Sequence, residues 1–288
     1  MTRSFHGLTA AICVSLGLGF AGSVEAQCRV DAATGLVIDK LQRSQERYAV
    51  TGTFLRESAG GRDFVAVTRA QGPKGSKAQF VNSEASNAEQ ALSLAGGRYL
   101  DPCEVAELYA ITLAKGPKVA GKATQFLQLR PKDTLRLGHV LALDETSGVI
   151  LRSDTISEKG ELLERHEFAT VTIAAVSEDE VGDKAQDDSQ RYVKVPGLPR
   201  GYRASLARGY EGRALFVSDG IAAATVIFEP LPDEVKPGEG AVRRGATLTY
   251  TRGSLVSGNN ILVTVIGEVP LAAARVIADA VKLTAGQR

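Results

Sequence analysis

The segment Gly116 to Ala123, GPKVAGKA, comes within one residue of the loop that cradles nucleotide phosphates. In that loop glycines let backbone N–H groups reach the phosphates, a lysine meets their terminal charge, and a closing Ser or Thr holds magnesium. The closing position here is Ala123, which has no oxygen. The residues after it read as a strand, not as the helix whose N-terminus would receive a phosphate. The segment is therefore read as a turn with lysines facing solvent. Nucleophilic chemistry has no better footing. There is no GxSxG elbow, and His139 and His166 lie in strand-like runs, where they are expected as surface or pocket-lining residues. The neighbouring carboxylates Asp179 and Glu180 sit in a polar stretch where solvation is the default. No cofactor is implied, and the chain reads as a binding protein rather than an enzyme.

Cysteine and N-terminal chemistry point to export. Arg3, an apolar run from about Leu8 to Phe20, and the small side chains of Val24 and Ala26 have the order of a secretory signal. The apolar run is shorter than the roughly 20 residues that a membrane span needs. Cleavage is expected after Ala26, delivering residues 27–288 to the space outside the cytoplasmic membrane. Cys13 leaves with the signal, so Cys28 and Cys103 remain, and in an oxidising compartment two cysteines most simply form one disulfide. Closing so long a loop would add about 4 kcal/mol in the chain-entropy model. The competing reading, a metal site, lacks a CxxC pair and any ligand spacing at His139 and His166.

The elements that must hold any site are mostly strands. Ala33 to Tyr48 has helical spacing, after which AVTGTFLRES and RDFVAVTRAQ, separated by Gly60 and Gly61, read as a hairpin. Further strands are expected at ELYAITLA, KATQFLQLRP, RLGHVLALD, GVILRSDTIS and ELLERHEFATVTIAAV, an antiparallel meander. The acidic stretch 177–190 is expected to be a linker between a domain at 27–176 and a second at 191–288. The second alternates strands with a polar loop at PLPDEVKPGEGAVRRG, and Pro270 opens a last helix. With 34 basic and 33 acidic residues and no Lys/Arg block, nucleic acid is not an expected partner.

The motifs GLPRGY (Gly197 to Tyr202), FVSDGIAAATVIFEP (Phe216 to Pro230), RRG (Arg243 to Gly245) and VTVIGEVPLAAARVIADAVKL (Val263 to Leu283) occur in one order. So does the meander from Val119 to Phe168, with its LD-x-x-x-G turn. This pattern resembles the MucB/RseB family, periplasmic negative regulators of an envelope-stress sigma factor. The resemblance implies an α+β chain: an N-terminal unclosed antiparallel β-barrel with helices, similar to lipoprotein carriers, then a smaller antiparallel sheet-plus-helix domain. It also implies a function. Such a protein would bind the periplasmic domain of a single-span anti-sigma factor, shield it from regulated proteolysis, and respond to lipid or lipopolysaccharide. Self-association is compatible with that role, and the alternative is a periplasmic lipid or lipoprotein carrier. Val50, Phe54, Phe64 and Val105 are the candidates to line a lipid cleft, and Arg243 and Arg244 to meet the partner. The chain departs from the family pattern at QGPKGSKAQFVNSE and in having no Trp.

Overall fold

The computed structural model describes residues 30–70, 77–80, 101–176, 192–207, 213–232, 234–256 and 259–285. The signal segment, Cys28 and the expected linker lie outside them. Helix α1 spans Ala32–Arg47, and Asp31 caps it by accepting from the Thr34 N–H at 2.9 Å. Strands β1 (Tyr48–Ser58) and β2 (Gly61–Ala70) form the expected hairpin, with Gly61 at φ 136 in its turn. Strand β3 (Lys77–Phe80) continues the sheet.

The strand read from Glu107 begins two residues later, because Pro102–Leu108 forms a helix, α2, capped by Asp101 and with proline in its first turn. The meander follows: β4 (Tyr109–Lys115), β5 (Thr124–Pro131), β6 (Gly138–Asp144), β7 (Ile150–Ile156) and β8 (Leu162–Ala175). The strand order is β3-β2-β1-β8-β7-β6-β5-β4, all pairs antiparallel. The sheet is open: β3 and β4 are its two edges, and they are not paired among the described residues. Both helices pack on it. Ile38 and Leu41 of α1 and Val105 and Leu108 of α2 share a core cluster with Leu127, Leu129 and Leu141.

A second sheet contains β9 (Tyr192–Val193), β10 (Arg203–Leu206), β11 (Ala214–Ser218), β12 (Ala223–Pro230), β13 (Glu239–Arg244), β14 (Thr247–Val256) and β15 (Asn259–Gly267). Its order is β13-β14-β15-β12-β11-β10-β9. Helix α3 (Leu271–Ala285) follows Pro270 and buries Ala273, Ala274, Ile277, Ala278 and Val281 against Val217, Val226, Tyr250 and Val265. The stretch expected as one polar loop contains an edge strand, β13. Its residues are almost wholly exposed, so no alternation of buried and exposed positions marks it in the sequence. The architecture is thus α+β: two antiparallel sheets, one open, with few helices.

Candidate binding hairpin and the seam between the sheets

Arg243 and Arg244 close strand β13, and Gly245 and Ala246 turn the chain into β14, with Arg244 opposite Thr247. A two-residue hairpin turn needs a residue at positive φ, and Gly245 supplies it at 57°. The two arginines then diverge. Arg243 is partly buried, its Nη1 donating to the Ala246 carbonyl at 2.7 Å and its Nη2 to the Val269 carbonyl at 2.8 Å. Arg244 is exposed. Of the two arginines expected to meet a partner, only Arg244 is turned to solvent.

The hairpin turn does not stand alone. The Ala246 N–H donates at 2.8 Å to Oε2 of Glu164, a β8 residue of the first sheet. Oε1 of the same carboxylate accepts from Arg56 Nε at 2.5 Å. His166 Nε2 lies 3.2 Å from Glu164 Oε1 without making a hydrogen bond to it. Burial works to raise the Glu164 pKa. His166, the Ala246 amide and Arg56 outweigh it and bring the carboxyl down to about 2. Across the same joint, burial raises the Glu268 carboxyl, with Glu164 adding to the shift and His166 and Arg243 opposing it.

A second joint forms around Arg136, which is fully buried between β5 and β6. Its Nε donates to Asp219 Oδ2 at 2.8 Å, and its remaining nitrogens meet Asp133 and the Arg200 carbonyl. The guanidinium lies 5.1 Å from the centre of the Tyr202 ring. Tyr109 also donates to Asp219 Oδ2, at 3.1 Å, while Asp219 Oδ1 takes the N–H groups of Ile221 and Ala222 at 2.9 and 2.8 Å. Burial and the Asp219 charge hold the hydroxyl of Tyr109, and that of Tyr202, well above their ordinary pKa. Ile221 itself packs into the first sheet's core. At Gly201, a Cβ would come within 2.5 Å of Leu108 Cδ1, and φ is 84°, so both contact and backbone call for glycine.

The other expected site residues divide. Val50 and Phe54 are buried in one cluster with Phe168, and the Phe54 and Phe168 rings meet edge to face at 6.1 Å. Val105 is buried in the cluster under α1 and α2. Phe64 is 66% exposed on β2. These four do not gather on one surface. Cys103 is disulfide-bonded in the first turn of α2, and its expected partner Cys28 lies outside the described residues. His139 and His166, expected at the surface or in a pocket, are buried, and neither Nε2 has a hydrogen-bond partner. The phosphate-loop-like segment is a turn in which Thr124 Oγ1 donates to the Pro117 carbonyl at 2.6 Å, leading into β5. Among the described residues no three His, Cys, Asp or Glu side chains gather as a metal site would need.

Arg136, Glu164 and Asp219 were not singled out from sequence, although Asp219, Gly201 and Gly245 all lie in the motifs that carry the resemblance. Those motifs converge here: GLPRGY brings Gly201, FVSDG brings Asp219, RRG brings Gly245, and VTVIGE brings Glu268. Two family models match the same two halves. The MucB/RseB N-terminal domain matches residues 67–189 and the MucB/RseB C-terminal domain residues 197–282, together well over half of the chain. The chain belongs to the MucB/RseB family. It is 31% identical over 205 residues to the sigma factor AlgU regulatory protein MucB of Pseudomonas aeruginosa, the match covering 64% of each chain. It is 24% identical over 184 residues to the sigma-E factor regulatory protein RseB of Haemophilus influenzae, covering 57% of this chain and 56% of that one. These matches span less than two thirds of the length of the curated relatives. Among solved structures, the Pseudomonas aeruginosa MucA/MucB complex superimposes with a TM-score of 0.63 at 26% identity, covering 86% of this chain and 97% of that one. MucB in complex with the periplasmic part of MucA gives 0.60 at 25% identity, with the same coverage.

Proposed function

We propose that this MucB/RseB-family chain is a periplasmic regulator that binds the periplasmic domain of a membrane-anchored anti-sigma factor. In this reading it shields that domain from the protease that begins its degradation. The likeness to MucB solved as a complex with MucA, extending over both sheets, carries the proposal. Arg244 at the exposed end of β13 is the contact we assign to an acidic group of the partner, with Arg243 fastening the turn beneath it. Lipid or lipopolysaccharide would act as the releasing signal, entering the open first sheet near Phe64 and disturbing the packing around Val50, Phe54 and Val105. Release then follows from linkage: a ligand that prefers the free protein shifts the population out of the complex by its differential affinity. A lipid carrier could work with the first sheet alone and would have no need of the hairpin that bears Arg244.

Limited proteolysis tests the shielding directly. The purified periplasmic domain of the candidate anti-sigma factor is cut with and without equimolar mature chain, and with lipopolysaccharide added to the mixture. The expected result is slower cutting in the complex and restoration of the free rate by lipopolysaccharide. Equal cutting rates with and without the chain would refute the shield.

A further inference from the structure

We propose that Glu164, a residue of the first sheet, is the positioning residue for the partner-binding hairpin of the second. This rests on the reading that Arg244 meets the partner. The turn at Gly245 and Ala246 touches Glu164 in two ways at once. Its amide donates to the carboxylate at 2.8 Å. A Cβ on Gly245 would lie 2.1 Å from Oε2 and 2.9 Å from Cδ of that carboxylate, so the space a larger residue would need is already filled by Glu164. On its other side the turn is fastened by the two Arg243 hydrogen bonds to Ala246 and Val269. With both sides held, the backbone that carries Arg244 into the turn is fixed.

Glu164 is also placed to report on the first sheet. Arg56 on β1 holds its Oε1. Its neighbour His166 packs against the Phe54 ring at 5.5 Å, and Phe54 packs in turn on Phe168. An occupant that repacks Phe54 and Phe168 would therefore move the base on which the Glu164 carboxylate rests. Its effect would reach Arg244 through one hydrogen bond and one close approach. The charged and titratable groups around this joint include Arg56, His166, Glu268, Arg243 and Glu158.

The test uses the full mature chain and the purified periplasmic domain of the anti-sigma factor. Affinity is measured for wild type, Arg244→Ala, Glu164→Ala, Gly245→Ala and Glu164→Ala with Arg244→Ala. Amide hydrogen exchange at Ala246 is followed in each unbound protein. Glu164→Ala and Gly245→Ala disturb the same contact from opposite sides, so one remains informative if the other fails to fold. Arg244→Ala is expected to weaken binding about 5–10-fold, and either contact variant to weaken it by a similar factor. The Glu164/Arg244 double variant should be no weaker than Arg244→Ala alone. Exchange at Ala246 should accelerate about tenfold or more in the contact variants, while amides in β15 keep their protection. Wild-type affinity in folded contact variants, beside a weakened Arg244→Ala, overturns the positioning role and leaves the partner reading intact. Wild-type affinity in Arg244→Ala overturns both. Unchanged Ala246 exchange in Glu164→Ala overturns the proposal whatever the affinities.

Discussion

Arg136 Nε donates to Asp219 Oδ2 at 2.8 Å with both side chains fully buried, and the two residues, 83 positions apart, lie in loops that join strands of different sheets. The attraction is bought with heavy desolvation, so the pair adds little over an apolar contact, but removing one member leaves a buried charge uncompensated. Asp219 also satisfies three other donors, Tyr109 and the amides of Ile221 and Ala222. Asp219→Ala is therefore expected to cost about 3–5 kcal/mol. Equilibrium denaturation of both proteins checks this. A loss below about 1 kcal/mol would show that water reaches Arg136.

Two buried groups give the fold separate pH windows. Burial lowers the His139 pKa from 6.5 to about 4. Between those values the unfolded chain binds a proton that the folded chain refuses, so stability falls as pH drops from about 6.5 to about 4 and then levels off. The Glu164 carboxyl, held down to about 2, acts in a lower window. Its contribution is complete above the ordinary carboxyl pKa of roughly 4.3 and is lost as pH falls from there toward 2. Replacing His139, whose Nε2 is buried without a partner, by Leu should flatten the upper window and raise stability at pH 7 by about 1 kcal/mol. Thermal melts from pH 7 to pH 4 decide it; an unchanged slope between those values would exonerate His139.

Phe54 and Phe64 were grouped as cleft residues, yet one is fully buried and the other 66% exposed. Phe54→Ala should cost about 3–5 kcal/mol through the cavity left beside Phe168. Phe64→Ser should change stability by no more than about 0.5 kcal/mol. If lipid enters at the exposed ring, Phe64→Ser also weakens binding to lipopolysaccharide, read by fluorescence of a labelled lipid. Full lipid affinity in Phe64→Ser would exclude this entrance.

Cys103 is disulfide-bonded, and Cys28 is the partner we expect. Intact-mass measurement of oxidised mature chain after alkylation should find no labelled thiol, and peptide mapping should find Cys28 joined to Cys103. Two freely alkylated cysteines would refute the pairing.

Strand runs such as RLGHVLALD and GVILRSDTIS were legible because they are short, apolar and bounded by turn residues, and Asp31 before α1 is an ordinary cap. Helix α2 was missed because its seven residues run directly into β4 and are too few to reveal a helical period. Its signal was local: Asp101 as cap and Pro102 in the first turn. Strand β13 was missed because EGAVRR buries almost nothing. The seam was hardest to see. A lone Glu or Arg in a strand is by default exposed, and nothing near Arg136 or Glu164 in the sequence announces a partner some 80 residues away. The glycines were the readable part, since Gly201 and Gly245 sit in motifs that could be recognised before their role in close approach was known.

Binding of the periplasmic domain of an anti-sigma factor is the property on which the proposed function stands. Isothermal titration of mature chain, residues 27–288, with the purified periplasmic domain of a single-span protein encoded beside a sigma factor measures it most directly. Saturable 1:1 binding at micromolar Kd or tighter is expected. No saturable heat at concentrations of tens of micromolar, with both proteins folded, would contradict it.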